Sequence, residues 1–413
     1  MQIKRIKLLS EFRGLPPGYE IKFQPRQPQI ERHINPLCIV GLNGSGKSNL
    51  LEVLAEIFYY LEIYHNASVS KLNEFKSPFG FEIEYDIPRK AFLNANVPWP
   101  ELLQMWDENG LKPTIHIKKN VNSLPIIRAY TDTTSVLLKN RDKDRNSAIL
   151  PSRVIAYTSG QNELLSNPFI KIDYQYYDKL KRNKGVSGSS ILEMNRLFYL
   201  DNATSKFITL CAFLFDTAGY DKNEFKGKHT TAGDLGGIEL KHVKRELNIE
   251  TLRSFKLSFK LKKTKSAKEF LPTGLNLALE NLILCSTFRT ENKTDTNWKL
   301  ELFFWVNRET QKAFRHYFKR ADELFRNLYF LNLLNNELIS RKLRTQIANA
   351  MAGTFENLSD ELPKFEAEKL IFRIHDIRFI KSNKNIVHYR KLSDGEHQLL
   401  QTFGALLLLD TPG

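Results

Sequence analysis

Residues 41–48 read GLNGSGKS and match G-x-x-x-x-G-K-[ST] at every required position. No other stretch constrains the fold as strongly, because the pattern is expected between a strand and a helix. Gly41, Gly44 and Gly46 let successive backbone N–H groups turn inward, and with Asn43 and Ser45 they form a cradle for phosphate oxygens. Lys47 supplies a cation for the β- and γ-phosphates, Ser48 supplies a hydroxyl for Mg²⁺, and the helix behind them points its positive end at the anion. The expected ligands are therefore ATP and Mg²⁺.

The flanks suit that reading better than the plain alternative of a Gly-Ser loop with a surface lysine. Residues 36–40, PLCIV, form an apolar run of the buried-strand type. Beyond the loop, Leu50, Leu51, Val53, Leu54, Ile57 and Phe58 recur at helical spacing.

The length of 413 residues, with 42% hydrophobic and 26% charged residues, suits a globular chain of two or three domains. No apolar run reaches the length of a transmembrane helix, so no membrane partner is expected. Cys38, Cys211 and Cys285 lie far apart without CxxC spacing, which argues against a disulfide framework and fits the cytoplasm. The net charge of +15, from 61 basic and 46 acidic residues, favours polyanionic partners.

Strands are expected at 2–9, 19–23, 79–87, 113–118 and 153–157, and a polar loop at 136–150. The segment 309–351 has a helical pattern, and 368–380 and 385–389 read as two strands joined by a polar turn. Residues 181–190 and 226–237 read as flexible stretches. Residues 252–262, LRSFKLSFKLK, alternate, with Phe255, Leu257, Phe259 and Leu261 on one face and Lys256, Ser258, Lys260 and Lys262 on the other. From Arg253 to Lys268 there are seven basic residues and no acidic one. Such a face either tracks a phosphate backbone or is a solvated surface with edge-protecting lysines. No HxH, HExxH or GxSxG spacing appears, and Asp360/Glu361 and Glu366/Glu368 read as surface carboxylates.

Residues 392–398, LSDGEHQ, precede a helical pattern and resemble the LSGGQ signature of ABC-type ATPases, in the LSxGE form of the RecF/SMC-like branch. Together with FRGLPPGYEIKF, GLNGSGKSNLLEVLAEIFYYLE, RVIAYTSGQNELLSNPF and YRKLSDGEHQLLQTFGALLLLDTPG, they make the chain resemble restriction system-associated AAA family ATPases. These stretches cover just under a fifth of the chain.

The resemblance implies an α/β ABC-type core with a mixed sheet, split into residues 1–170 and 371–413 around a largely helical, basic insertion at 171–370. It implies that Ser393 and Gly395 touch the γ-phosphate bound by a second copy in an ATP-dependent homodimer. It implies that Gln161 touches Mg²⁺ and that Arg13 approaches the nucleotide, with the signature packed near the first 60 residues. The implied role is coupling of nucleotide state to DNA or a co-encoded effector in restriction or anti-phage defence. Two alternatives stand beside it: a DNA-repair ATPase of the same branch, and a non-hydrolysing nucleotide sensor controlling a nuclease or toxin.

LLLLDTP at 406–412 looks like a metal-binding strand in which Thr411 replaces the catalytic glutamate. Spacing argues otherwise. Only 14 residues run from Glu396 to Leu409, and one helix at about 1.5 Å per residue uses them all. Leu399, Leu400, Phe403, Leu406 and Leu407 keep helical spacing across them. The expectation is that Asp410 is no Mg²⁺ ligand and that, by the resemblance, the catalytic glutamate lies beyond Gly413.

Overall fold

The computed structural model describes residues 1–23, 37–65, 79–87, 113–131, 134–138, 147–158, 163–182, 195–217, 240–263, 269–349 and 358–409. They form a mixed α/β fold with antiparallel sheets.

Near the N-terminus six strands pair: β1 (Gln2–Leu8), β2 (Glu20–Lys22), β3 (Phe81–Asp86), β4 (Thr114–Lys119), β5 (Ile126–Tyr130) and β6 (Ser135–Leu138). Their order is β2-β1-β3-β4-β5-β6. Alternation sets the two faces. Phe81, Ile83 and Tyr85 are buried, while Arg5 spans Glu84 (2.7 Å) and Glu82 (3.0 Å) on the other side.

Helix α1 (Lys47–His65) packs on the apolar face and is buried almost all round. Leu50, Val53, Ile57 and Leu61 join the core beneath this sheet; Ala55, Tyr59 and Ile63 join a second, larger core. A parallel pair, β7 (Val154–Ala156) and β8 (Leu197–Tyr199), sits beside α1 and α2 (Asn167–Arg182).

A second sheet contains β9 (Ile249–Lys262), β10 (Phe288–Lys293), β11 (Asn297–Trp305), β12 (Phe372–Lys381) and β13 (Ile386–His388), ordered β10-β11-β9-β12-β13. One face is covered by α3 (Asn202–Leu214), α4 (Lys241–Glu246), α5 (Thr273–Cys285), α6 (Arg308–Phe318) and α7 (Ala321–Leu333). Phe255 stacks on Phe304 at 4.4 Å, and Phe314 of α6 closes on both. Helices α8 (Arg341–Asn349) and α9 (Leu358–Glu361) pack on α2. The last helix, α10 (Asp394–Leu409), lies on α3, α4 and α7.

Several expectations change. The described part of 171–370 is mostly helical, as expected, but it also supplies β8 to β11, and β9 bonds to β12, so one sheet spans the expected boundary at 370. The eight residues 255–262, Phe/Leu alternating with Lys/Ser, bury a continuous apolar face only as a strand. Because β9 is the middle strand, its lysines protect no edge. The helical pattern at 309–351 is broken where Lys319 takes a left-handed φ of 55°. The segment 136–150 is not all loop: β6 and a short 3₁₀ turn, Ser147–Ile149, flank the part outside the described residues.

The expected strand at 36–40 is absent over its described part. Residues 37–40 have no regular structure, and Leu37 and Val40 are 50% and 86% exposed. An apolar run becomes a buried strand only where neighbouring strands satisfy its backbone, and the described residues place none beside it. The expected mixed sheet therefore does not surround the loop; among the described residues the one parallel pairing is β7 with β8. The C-terminal expectation holds through Leu409, which ends a single helix begun at Asp394; Asp410 lies outside the described residues.

Candidate phosphate-binding site

Residues 41–48 lead straight into α1, whose first residue is Lys47. Gly44 (φ 79°) and Gly46 (φ 84°) adopt the left-handed backbone that only glycine takes freely. A Cβ on Gly46 would fall 2.9 Å from Leu15 Cδ2, so that glycine also permits close packing. Ser45 N donates to Leu42 O (3.2 Å) and Leu50 N to Gly46 O (2.9 Å), which tie the loop to the first helical turn. Gly41, Asn43, Ser45 and Ser48 are exposed.

The Lys47 ammonium donates to the carbonyls of Gly41 (2.8 Å) and Leu42 (2.7 Å). It is thereby held over the loop rather than extended into solvent. The early N–H groups of α1 lack intrahelical acceptors, as in any helix. Two left-handed glycines, an overhanging cation and a helix N-terminus form an arrangement able to bind a phosphate group.

Arg13 is brought to this loop. Its turn is closed by reciprocal backbone bonds between Phe12 and Leu15 (3.1 and 2.9 Å), with Arg13 at φ 52° and Gly14 at φ 78°. Asn49 Nδ2 donates to Arg13 O (2.6 Å), and Arg13 Nε lies 3.4 Å from Glu52 Oε2. The guanidinium is thus paired with α1 rather than directed at the glycines.

Glu52 and Glu56, one turn apart on α1, are 4% and 6% exposed. Burial raises both carboxyl pKa values; Arg13 counters this at Glu52, and Lys171 then Arg13 counter it at Glu56. Sequence reading missed this pair, although glutamates at i and i+4 within a mostly apolar stretch of the helix were the available signal.

Ser393 and Gly395 lie elsewhere, at the start of α10. Glu396 Oε2 accepts from Ser393 N (2.7 Å), and Ser393 Oγ accepts from Glu396 N (3.3 Å), a capping box. Lys381 Nζ anchors Glu396 at 2.7 Å, and Lys381 with the Ser393 bonds holds that carboxyl below its usual range. Gly395 is exposed, and a Cβ added there would meet nothing within 4 Å. The expectation that this segment packs near the first 60 residues is not met: α10 packs chiefly on α3, α4 and α7, while α1 packs on α2 and β7. Their apolar faces drive this, since Leu400 and Ala405 join the larger core. Gln161 lies outside the described residues.

No family model, no curated protein and no solved structure matches this chain. No helix among the described residues is long and apolar enough to cross a membrane.

Proposed function

We propose that residues 41–48 bind the phosphates of ATP, with Mg²⁺ on the Ser48 hydroxyl, within an ABC-type nucleotide-binding core. The supporting observation is the loop itself: two left-handed glycines deliver the chain into a helix N-terminus beneath a lysine held by two loop carbonyls. A phosphate in the cradle takes the Lys47 ammonium from those carbonyls in exchange for a charge-assisted bond.

In this reading two copies close around ATP, Lys47 and Ser48 of one facing Ser393 and Gly395 of its partner. The exposure of the Ser393–Gly395 turn, and its separation from α1 within one chain, suit contact in trans. Nucleotide state then controls DNA or a co-encoded effector in a cytoplasmic restriction or anti-phage setting, a context supplied by the motif resemblance alone.

Titration of a fluorescent ATP analogue with Mg²⁺ tests the binding step. Lys47→Ala is expected to weaken affinity about tenfold or more. Equal affinity in a folded Lys47→Ala variant would overturn the reading.

A further inference from the structure

The second sheet has one face turned away from its helices, and register arranges that face in rows across four strands. Phe288, Phe303, Lys256 and His375 share one row; Thr290, Glu301, Ser258 and Arg373 share the next. At about 4.8 Å between strands, the first row spans roughly 14 Å. One end is aromatic. Phe288 is 59% and Trp305 51% exposed, the Phe288 and Phe303 rings lie 5.5 Å apart, and Arg253 lies over Trp305 at 4.5 Å. Phe303 and Trp305, two residues apart on β11, offer rings about 7 Å apart. Lys256 Nζ sits midway along the row, 4.7 Å from the Phe303 ring centre.

The other end is cationic and concave. β13 pairs with β12 only over Arg378, Phe379 and Ile380, so the β12 edge opens beyond them. There a pocket of about 370 Å³ is lined by Lys206 of α3, Arg373 and His375 of β12, His388 of β13, and Arg390. Among the described residues neither Lys206 nor Arg390 has an ion pair. Arg373 Nε is buried without an acceptor among the described residues, and its guanidinium pairs with the mostly exposed Glu368, at 3.5 Å. Burial chiefly, then Arg390 and Arg373, lowers the Lys206 pKa, against the opposing pull of Asp201. Of the pocket's acids, Asp376 is already held by Arg378 (2.9 Å) and Lys256 (3.3 Å). Crowded cations of this kind are relieved by an anion.

We propose that this face binds single-stranded nucleic acid, with unpaired bases stacked on Phe303 and Trp305 and a backbone phosphate held by Lys206, Arg373 and Arg390. A duplex hides the base faces these rings would meet, and a small phosphate would leave the aromatic end without a role. Glu301, between the two ends, is the carboxylate that opposes the strand. The inference gives a chemical class to the polyanionic partner of the preceding reading, and it requires no nucleotide at residues 41–48.

Fluorescence anisotropy with a labelled oligothymidylate, in the absence of ATP and Mg²⁺, tests it. Saturable binding that weakens with salt is expected, with weaker binding of a duplex. Trp305→Ala is expected to bind about tenfold more weakly, Arg373→Gln to bind more weakly with a shallower salt dependence, and Glu301→Gln to bind more tightly. Trp305→Ala should keep wild-type affinity for the ATP analogue, which separates this site from the phosphate loop. No saturable binding by the wild-type chain overturns the proposal. So does preference for the duplex, or unchanged affinity in both Trp305→Ala and Glu301→Gln, whose exposed side chains leave the core intact.

Discussion

Asp173 shows how a single side chain sets a stability profile. It lies in α2 and accepts from Tyr329 Oη and from Asn195 Nδ2 (3.3 Å), with Asn195 also donating to Tyr329 (2.6 Å). Burial raises its pKa from 3.8 to about 7 despite those bonds. The folded state therefore holds this proton more tightly than the unfolded chain does. Its stabilising contribution is complete below the unfolded pKa and is lost as pH climbs through the folded one. Chemical denaturation across that window should show stability falling with pH in the wild type, and a flatter profile in Asp173→Asn. An equally steep decline in the variant would assign the slope to other groups. Nothing in the sequence around Asp173 marks it, because its partners lie in α7 and in the segment before β8, both remote along the chain.

At the scale of elements, what could be read depended on whether the deciding contacts were local. The strand at β9 and the helix at α10 were legible because their periods, two and 3.6, are written within one stretch. Ser393 and Glu396 likewise announce their capping box from three residues apart. The run at 37–40 was misread because strand formation needs partners that its own composition cannot supply. The phosphate loop was legible as a motif; the Arg13–Glu52 pair and the Lys206–Arg373–Arg390 pocket were not, since each gathers side chains from separate elements. Two glycines of α10 make the contrast testable. A Cβ at Gly404 would lie 2.5 Å from Cγ2 of Ile208, a fully buried residue of α3, whereas one at Gly395 meets nothing within 4 Å. Gly404→Ala should destabilise by about 1–3 kcal/mol through overpacking, after a helix-propensity gain of up to about 1 kcal/mol. Gly395→Ala should leave the melting temperature unchanged or raise it slightly. If it nevertheless abolishes ATP-dependent dimerisation, measured by light scattering, the loss belongs to the intermolecular contact and not to the fold.

For the whole molecule, α1 sends buried residues into both cores. The same helix that begins at the phosphate loop sends Val53, Ile57 and Leu61 beneath the six-stranded sheet and Ala55, Tyr59 and Ile63 into the core of the five-stranded one. Buried polar contacts reinforce the second attachment: Glu62 meets Arg196 Nε (3.3 Å) and the Tyr176 hydroxyl (3.2 Å), and Gln175 donates to the Tyr59 hydroxyl (3.2 Å). A helix buried on two sides cannot leave one core without exposing apolar surface in the other, so the two sheets are expected to unfold together. Ile57 is fully buried on the six-stranded side, and Ile57→Ala should cost about 2–5 kcal/mol. In calorimetry that variant should melt earlier in one transition, with tryptophan fluorescence from Trp298 and Trp305 in the other sheet, read in a Trp99→Phe/Trp106→Phe background, shifting in step. A variant in which only part of the heat moves, while the fluorescence of β11 keeps its wild-type midpoint, would show that α1 does not couple them. Coupling of this kind also bears on function. An anion at Lys47 that displaced α1 would disturb the core that carries the basic and aromatic sheet face, so the affinity of that face for oligothymidylate should change when the ATP analogue is added if the two sites are coupled.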